Sequence, residues 1–449
     1  MEAVENLPVS SHAPRGKLLR VLGVAFGLAI AVGASVGVGI LRNPGGVAGY
    51  LPSHWLIVLA WFLGGVYCML GANYLGELAT MTPKAGGFYV HAHRAFGNYA
   101  GFVVGWSDWA NNTLSLAYIS VAFGEYAGAL FFPNSPWGQT LCGVSILVVL
   151  TIINWIGVRS GSGTQQLTSL VKSLALIAFV IACFIFGGSS APQNTQQASS
   201  VPTGFFAGLA AFVLAIQIVL GTYDGYYGPM YFAEEDTNPS QNLVRSMFGG
   251  VAIIMAIYLL VNLALLHVLP MDQFGSSKFA GADAMAVMFG SRAGQIVTVL
   301  ALISLVGVLN AVLMCAPRIL FALGRDGLFT KRACEVNTGG TPTFSLGVTA
   351  MTALVLTILG SFETLLAIGG FLIVFVMIVL VASLFALRRR EPDTPRPYRT
   401  WGYPYTPIVM LIIVILLAIG YAVSNPFPSA IAAGALLLSY PIYRLIRTT

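Results

Sequence analysis

Apolar residues run along this chain in long blocks separated by short polar stretches. Twelve blocks stand out, at 22–41, 54–80, 99–130, 137–157, 163–187, 204–232, 248–269, 294–323, 343–361, 364–387, 405–423 and 427–445. A helix needs about 20 apolar residues to cross roughly 30 Å of hydrocarbon, so the pattern predicts an all-α polytopic membrane protein with twelve transmembrane helices. The third, sixth and eighth blocks exceed one span and are long enough to tilt or break. Composition agrees: 57% of the 449 residues are hydrophobic, 8% are charged, and the mean hydropathy is +0.82. Soluble domains carry about 25% charged residues, so most of this exterior must face lipid.

The basic residues set the topology. With the N-terminus in the cytoplasm, 18 of the 22 Lys and Arg residues fall in inner segments. Only Arg42, Lys278 and Arg292 fall outside, and Lys172 lies within a span. The positive-inside rule then predicts a multi-pass protein of the cell (inner) membrane with both termini cytoplasmic. The net charge of +6 reflects that asymmetry and implies no nucleic-acid partner. The polar start of the chain and its long first block do not read as a cleavable signal peptide. Five scattered cysteines suggest packing residues, with no disulfide framework and no metal site.

The polar stretch 187–202 separates five blocks from the next five. Five is odd, so a second five-helix unit enters the membrane inverted. The predicted organisation is a cytoplasmic tail over 1–21, five-helix repeats over 22–187 and 204–387, and two more helices over 405–445. Inverted repeats place a binding site near mid-membrane on discontinuous helices, marked by glycine-interrupted apolar segments at matching places. Both units open on such a segment, GASVGVG at 33–39 and GTYDGYYGP at 221–229. Glycine weakens a helix by roughly 1 kcal/mol relative to alanine and proline by about 3 kcal/mol. Unwound backbone is tolerated at that depth only beside protein or a water-filled cavity, so two breaks predict one shared cavity. The alternative is close helix packing through Gly33 and Gly37, four residues apart.

The segments 33–49 (GASVGVGILRNPGGVAG), 77–97 (ELATMTPKAGGFYVHAHRAFG), 221–246, 317–329 (PRILFALGRDGLF) and 396–404 (RPYRTWGYP) carry a resemblance running from about Leu19 to Arg444. The chain resembles the amino acid–polyamine–organocation superfamily, near the L-type amino acid transporters and their bacterial relatives. That likeness implies the leucine-transporter fold of two inverted five-helix repeats plus two helices. It also implies alternating access around a site between helices one and six.

A broken helix suits an amino acid, because free N–H groups attract anions at one half-helix end and free carbonyls attract cations at the other. The carboxylate is assigned to main chain at Gly37, Val38 and Gly39. The ammonium is assigned to carbonyls near Ser35, Thr222 and Tyr223. Where many relatives carry a Gly-Ser-Gly motif, Val38 has no hydroxyl to offer. Where L-type relatives carry a bulky aromatic, Gly221 leaves a roomier cavity or a weaker lid. Asp224 lies in the second break and either contacts the ammonium or caps a half-helix.

Lys172 is an intramembrane cation, costly and therefore a functional candidate. The resemblance implies that its ammonium stands where sodium-coupled members of the fold hold an ion, tying helix one to helix eight; Ser304, one of two hydroxyls well inside the eighth block with Thr298, is the candidate partner there. Snorkelling to the interface is the alternative. Asp108, Glu125 and Glu77 read as relays or as satisfied interhelical groups, and Glu234, Glu235, Arg245, Arg318, Arg325 and Asp326 as a cytoplasmic gate. No Ser-His-Asp, Cys-His or metal-ligand spacing appears, so an enzyme, a cofactor and a metal are not expected. The reading is a secondary active transporter of neutral L-amino acids, sodium-independent, by exchange or proton symport. The alternative is a polyamine or other organic-cation carrier of the same fold. Segment 131–136, where some animal relatives carry a linking cysteine, has none, so no covalent heavy-chain partner is expected.

Overall fold

The computed structural model describes residues 18–51, 53–132, 135–189 and 204–448. Most of the N-terminal tail and the divider between the two predicted units lie outside them. Among the described residues the fold is all-helical, with two isolated β-bridges.

The first predicted span is two helices, α1 (Val24–Ser35) and α2 (Gly39–Tyr50), bent by 46° at the break between them. Then follow α3 (His54–Met81), the short α4 (Phe88–Phe96), α5 (Asn98–Phe131), α6 (Pro136–Ile156) and α7 (Val158–Phe186). The second half runs α8 (Phe205–Tyr223), α9 (Pro239–Val268), the short α10 (Met271–Ser276) and α11 (Ala280–Phe289), and α12 (Gly294–Arg325). It closes with α13 (Thr343–Leu359), α14 (Phe362–Arg390), α15 (Tyr405–Ser424) and α16 (Pro426–Thr448). Ten described helices are long and apolar enough to cross a membrane; the α1–α2 pair is an eleventh candidate, and α13 is a shorter apolar helix of 17 residues.

The helices are built inside out compared with those of a soluble protein. On α7, Leu167, Leu170, Leu174, Ile177 and Ile181 are exposed, while Gln165, Ser169 and Lys172 are buried. An apolar face turned outward at helical spacing fits a lipid surround, and the polar face finds its partners within the bundle. Trp55 and Trp137 are 81% and 82% exposed near the starts of α3 and α6, as expected of rings at a membrane–water boundary.

The first block departs from its predicted end at residue 41. The chain stays helical through Arg42, Asn43 and Pro44 to Tyr50, so Arg42 belongs to a helix and not to an outer loop. Hydropathy misses this stretch because it packs on protein. A Cβ on Gly45 would fall 2.2 Å from the Ser277 carbonyl oxygen.

Candidate functional site

The last regular bond of α1 runs from Val36 N to Val32 O at 2.8 Å. Gly37 and Val38 then lie outside any helix, and their N–H groups find no acceptor among the described residues. The second break begins at Asp224, follows with Gly225 at φ +106°, and resumes as a 3₁₀ turn over Gly228–Phe232. Gly225 is required twice over. Its φ is left-handed, and a Cβ there would come within 2.9 Å of the Ala34 backbone. The two breaks therefore touch. α1 lies against the 228–232 turn and α2 against α8.

Between them is a cavity of about 520 Å³, within the usual range of about 300–1,000 Å³ for small-molecule sites. Of the residues assigned to substrate, Ser35, Gly37, Val38, Gly39, Gly221, Thr222 and Asp224 line it. Tyr223 does not: it is buried on the far side, with its hydroxyl donating to Trp61 O at 3.0 Å. Helical geometry is the reason, since consecutive residues point about 100° apart. Ser35 Oγ is buried with no hydrogen-bond partner among the described residues. Gly221 faces open space, and a side chamber of about 80 Å³ lies behind it.

Two residues not singled out in the sequence organise the breaks. The Tyr258 hydroxyl of α9 lies 2.7 Å from Ser35 O and 2.9 Å from Thr222 O, within bonding reach of a freed carbonyl from each break. Asn43 Nδ2 donates to Thr222 Oγ1 at 2.7 Å, joining α2 to α8. The available signal was a hydroxyl or amide within an apolar stretch. Asp224 Oδ1 accepts from its own neighbour Tyr227 at 2.8 Å.

Lys172 is buried and points into the first break, away from the interface. Its Nζ donates to Gly33 O at 2.7 Å and Val36 O at 2.6 Å. Ser304 is not its partner. Ser304 Oγ is buried without a hydrogen bond, and on α12 it is Gly307 that faces the ammonium, a Cβ there falling 3.3 Å from Nζ. A glycine lets the lysine lie against the helix backbone, where a side chain would push it away.

On the side carrying the arginine-rich end of α14 the cavity is closed by layers. Tyr231 donates to Asp108 Oδ1 at 2.7 Å. Arg318 then holds Glu235 in a buried bidentate pair at 2.5 and 2.8 Å. Beyond it Arg325 pairs with Glu234 at 2.7 Å, and Tyr89 donates to Asp326 at 2.8 Å. The chain before α1 is fastened there too, Leu22 N donating to Glu235 O and Thr237 N to Leu22 O. Arg245, expected in this cluster, is exposed and has no ion pair among the described residues. Glu77 is a satisfied structural carboxylate, bonded by Arg388 at 2.9 and 2.6 Å and by Thr400 N at 2.7 Å. Glu125 is exposed near the far end of α5. Outside the spans, the bond from Arg94 holds the Glu391 carboxyl below the usual carboxylate range. Toward the opposite face the cavity reaches Arg42, Phe362, Glu363 and Asn425. Cys315, read as a packing residue, lines the cavity.

Broken helices around a central cavity in a lipid-facing bundle define a membrane carrier of small molecules. The chain matches the amino acid permease family over residues 22–440 and belongs to it, within the amino acid–polyamine–organocation superfamily and close to the L-type transporters. It is 29% identical to the serine/threonine exchanger SteT of Bacillus subtilis (strain 168) over 407 residues, 89% of this chain and 90% of that one. It is 26% identical to the b(0,+)-type amino acid transporter 1 of Mus musculus over 431 residues, covering 93% and 86% of the two chains. It is 27% identical to the large neutral amino acids transporter small subunit 2 of Oryctolagus cuniculus over 456 residues, covering 98% and 83%. The family and these relatives are transporters of amino acids and not enzymes.

Proposed function

We propose that this protein carries neutral L-amino acids across the cytoplasmic (inner) membrane, sodium-independently, by alternating access. Its twelve spans form inverted five-helix units over 22–187 and 204–387 with two helices over 405–445, and both termini are cytoplasmic. The observation that supports this most is that both breaks line one cavity while Lys172 Nζ occupies the carbonyls of the first. The tethered amine already takes the carbonyls that a sodium ion would need.

The substrate carboxylate binds the unpaired N–H groups of Gly37 and Val38 and those opening α2 at Gly39, where the helix dipole favours an anion. Val38 adds no hydroxyl; Ser35, which lines the cavity, has one whose Oγ is buried without a hydrogen-bond partner among the described residues. The ammonium binds the carbonyls of Ser35 and Thr222. A carbonyl accepts two hydrogen bonds and a phenol gives one proton, so Tyr258 leaves this pair with acceptor capacity. Tyr223 plays no direct part. The relatives' exchange of serine and threonine and transport of large neutral amino acids agree with a neutral substrate. A cavity reaching Arg42 and Glu363, with ion pairs below, corresponds to an outward-facing state. A covalent partner is not part of the proposal, since no cysteine occurs in 131–136, two residues of which lie outside the described ones.

Purified protein in sodium-free proteoliposomes is expected to take up a neutral L-amino acid. Dependence on internal substrate identifies exchange, and dependence on an inward pH gradient identifies proton symport. Strict sodium dependence overturns the proposal. A second reading, an organic-cation carrier, is favoured by one observation, the Asp224 carboxyl on the cavity wall. Thermal-shift screening against the twenty amino acids and common polyamines separates the two.

A further inference from the structure

Asp108, the acceptor for Tyr231 in the closed layers, is not paired with an arginine as Glu234 and Glu235 are. It lies on α5, fully buried, beneath the cavity and not on its wall. Its Oδ1 accepts from Tyr231 at 2.7 Å and from Asn112 Nδ2 at 3.0 Å, while Oδ2 has no hydrogen-bond partner among the described residues. Holding a buried carboxylate charged without a counter-ion is costly.

Among the described residues no Lys, Arg or His forms an ion pair with it: on α4, His91 is buried, His93 lies near Asp326 and Arg94 pairs with Glu391, and on α16 Arg444 lies over Tyr440. On α12 the neighbours are Cys315 and, one turn on, Arg318, which is committed to both oxygens of Glu235. From the second break come Tyr231, Tyr227 and Asp224, none of them cationic. On α4, Tyr89 packs against Gly105 and donates to Asp326. α13 has no ionisable residue, and α14 has none between Glu363 and Arg388. The one intramembrane lysine, Lys172, serves the first break.

We infer that Asp108 is the proton-binding site of this carrier, loaded from the cavity through the Tyr231 hydroxyl. Tyr231 lines the cavity and touches Asp108, so it is the link between them. Its O–H bond breaks as Oδ1 gains the proton, and hydronium in the cavity restores the phenol, so one proton moves and tyrosine is unchanged. Tyr231 also belongs to the 228–232 turn of the second break. A hydrogen bond to a charged acceptor is roughly twice as strong as a neutral one. Protonation therefore loosens the tie between that turn and α5, and loss of the proton tightens it. Proton occupancy sets how readily the inner side of the cavity opens.

This rests on the carrier reading, and the test keeps the two apart. Counterflow of a neutral amino acid between equal pH values tests the carrier, and its absence in the wild type sinks both. Accumulation against a gradient driven by an inward pH step tests the proton site. One pH unit can drive up to about tenfold accumulation per coupled proton, since each unit is worth about 1.36 kcal/mol. The wild type is expected to accumulate, and in Asp108→Asn the ratio of pH-driven accumulation to counterflow is expected to fall to the value seen without a pH step. Accumulation by Asp108→Asn equal to wild type overturns the assignment. So does a wild type that counterflows but ignores pH, or that responds to sodium in place of protons. Should Asp108→Asn fail to fold, an indicator dye in weakly buffered wild-type protein gives the answer. Substrate addition is expected to move protons to or from the protein, and a silent dye overturns the proposal. Tyr231→Phe is expected to slow that proton signal, and an unchanged rate overturns the loading route.

Discussion

At the first break the freed carbonyls of Gly33 and Val36 meet an ammonium, whereas at the second the freed carbonyl of Thr222 shares a neutral phenol with Ser35. Within the second break, Asp224 is held by Tyr227, three residues along its own chain. Charge-assisted bonds are roughly twice as strong as neutral ones, so the first break is pinned and the second is the one free to change. The inner end of that second segment is fastened separately, by Arg318 on Glu235. Fixed geometry is thus set on one side of the cavity and movement on the other.

The largest expected effect comes from unpinning the first break. Lys172→Ala leaves two buried carbonyls without donors, each costing about 1–3 kcal/mol. At about 1.36 kcal/mol per decade, initial uptake in proteoliposomes is expected to fall on the order of 100-fold. A near-normal rate would erase the contrast between the two breaks. Next is the fastening below the second. Arg318→Ala strands a buried carboxylate at a cost of about 3–5 kcal/mol, read as a lowered melting temperature in detergent. Replacing Glu235 by alanine as well is expected to recover much of it. Tyr258→Phe removes one neutral hydroxyl, worth about 1 kcal/mol, and is expected to weaken substrate affinity about fivefold in a thermal-shift titration. A loss as large as that of Lys172→Ala would show that both breaks are equally pinned.

The smallest effect lies away from both breaks, at Arg94 and Glu391. The carboxyl's folded value is depressed, so its contribution is present above the unfolded value and is lost as pH falls through the folded one. Wild type and Arg94→Ala are therefore expected to differ in melting temperature at neutral pH and to converge below about pH 4. Both side chains are 30% exposed, which limits the difference to about 1 kcal/mol. A constant difference down into acid would show that Arg94 acts through packing.

What could be read along the chain was whatever is local. Glycine crowding at 33–39 and 221–229 marked where helices stop, because helix weakness is a property of the residues themselves. Lys172 was visible because a cation in an apolar run needs no context to be unusual. Partnership was not visible. Ser304 and Gly307 differ by less than one turn, and only packing decides which meets Nζ. Tyr258 looked like any aromatic in a span until the fold brought two distant carbonyls to its hydroxyl. Arg42 looked like a loop residue because a hydropathy window cannot tell a helix that packs on protein from one that leaves the membrane.

The amine seated in the first break arrives on a covalent stem, and so it need not be captured from solution. An ion held there from solution would come and go with the salinity outside, and its seat would stand vacant in dilute water. A tethered amine is present in brine and in rain alike. Whether that seat is filled is consequently decided by the chain itself and not by the salt around it.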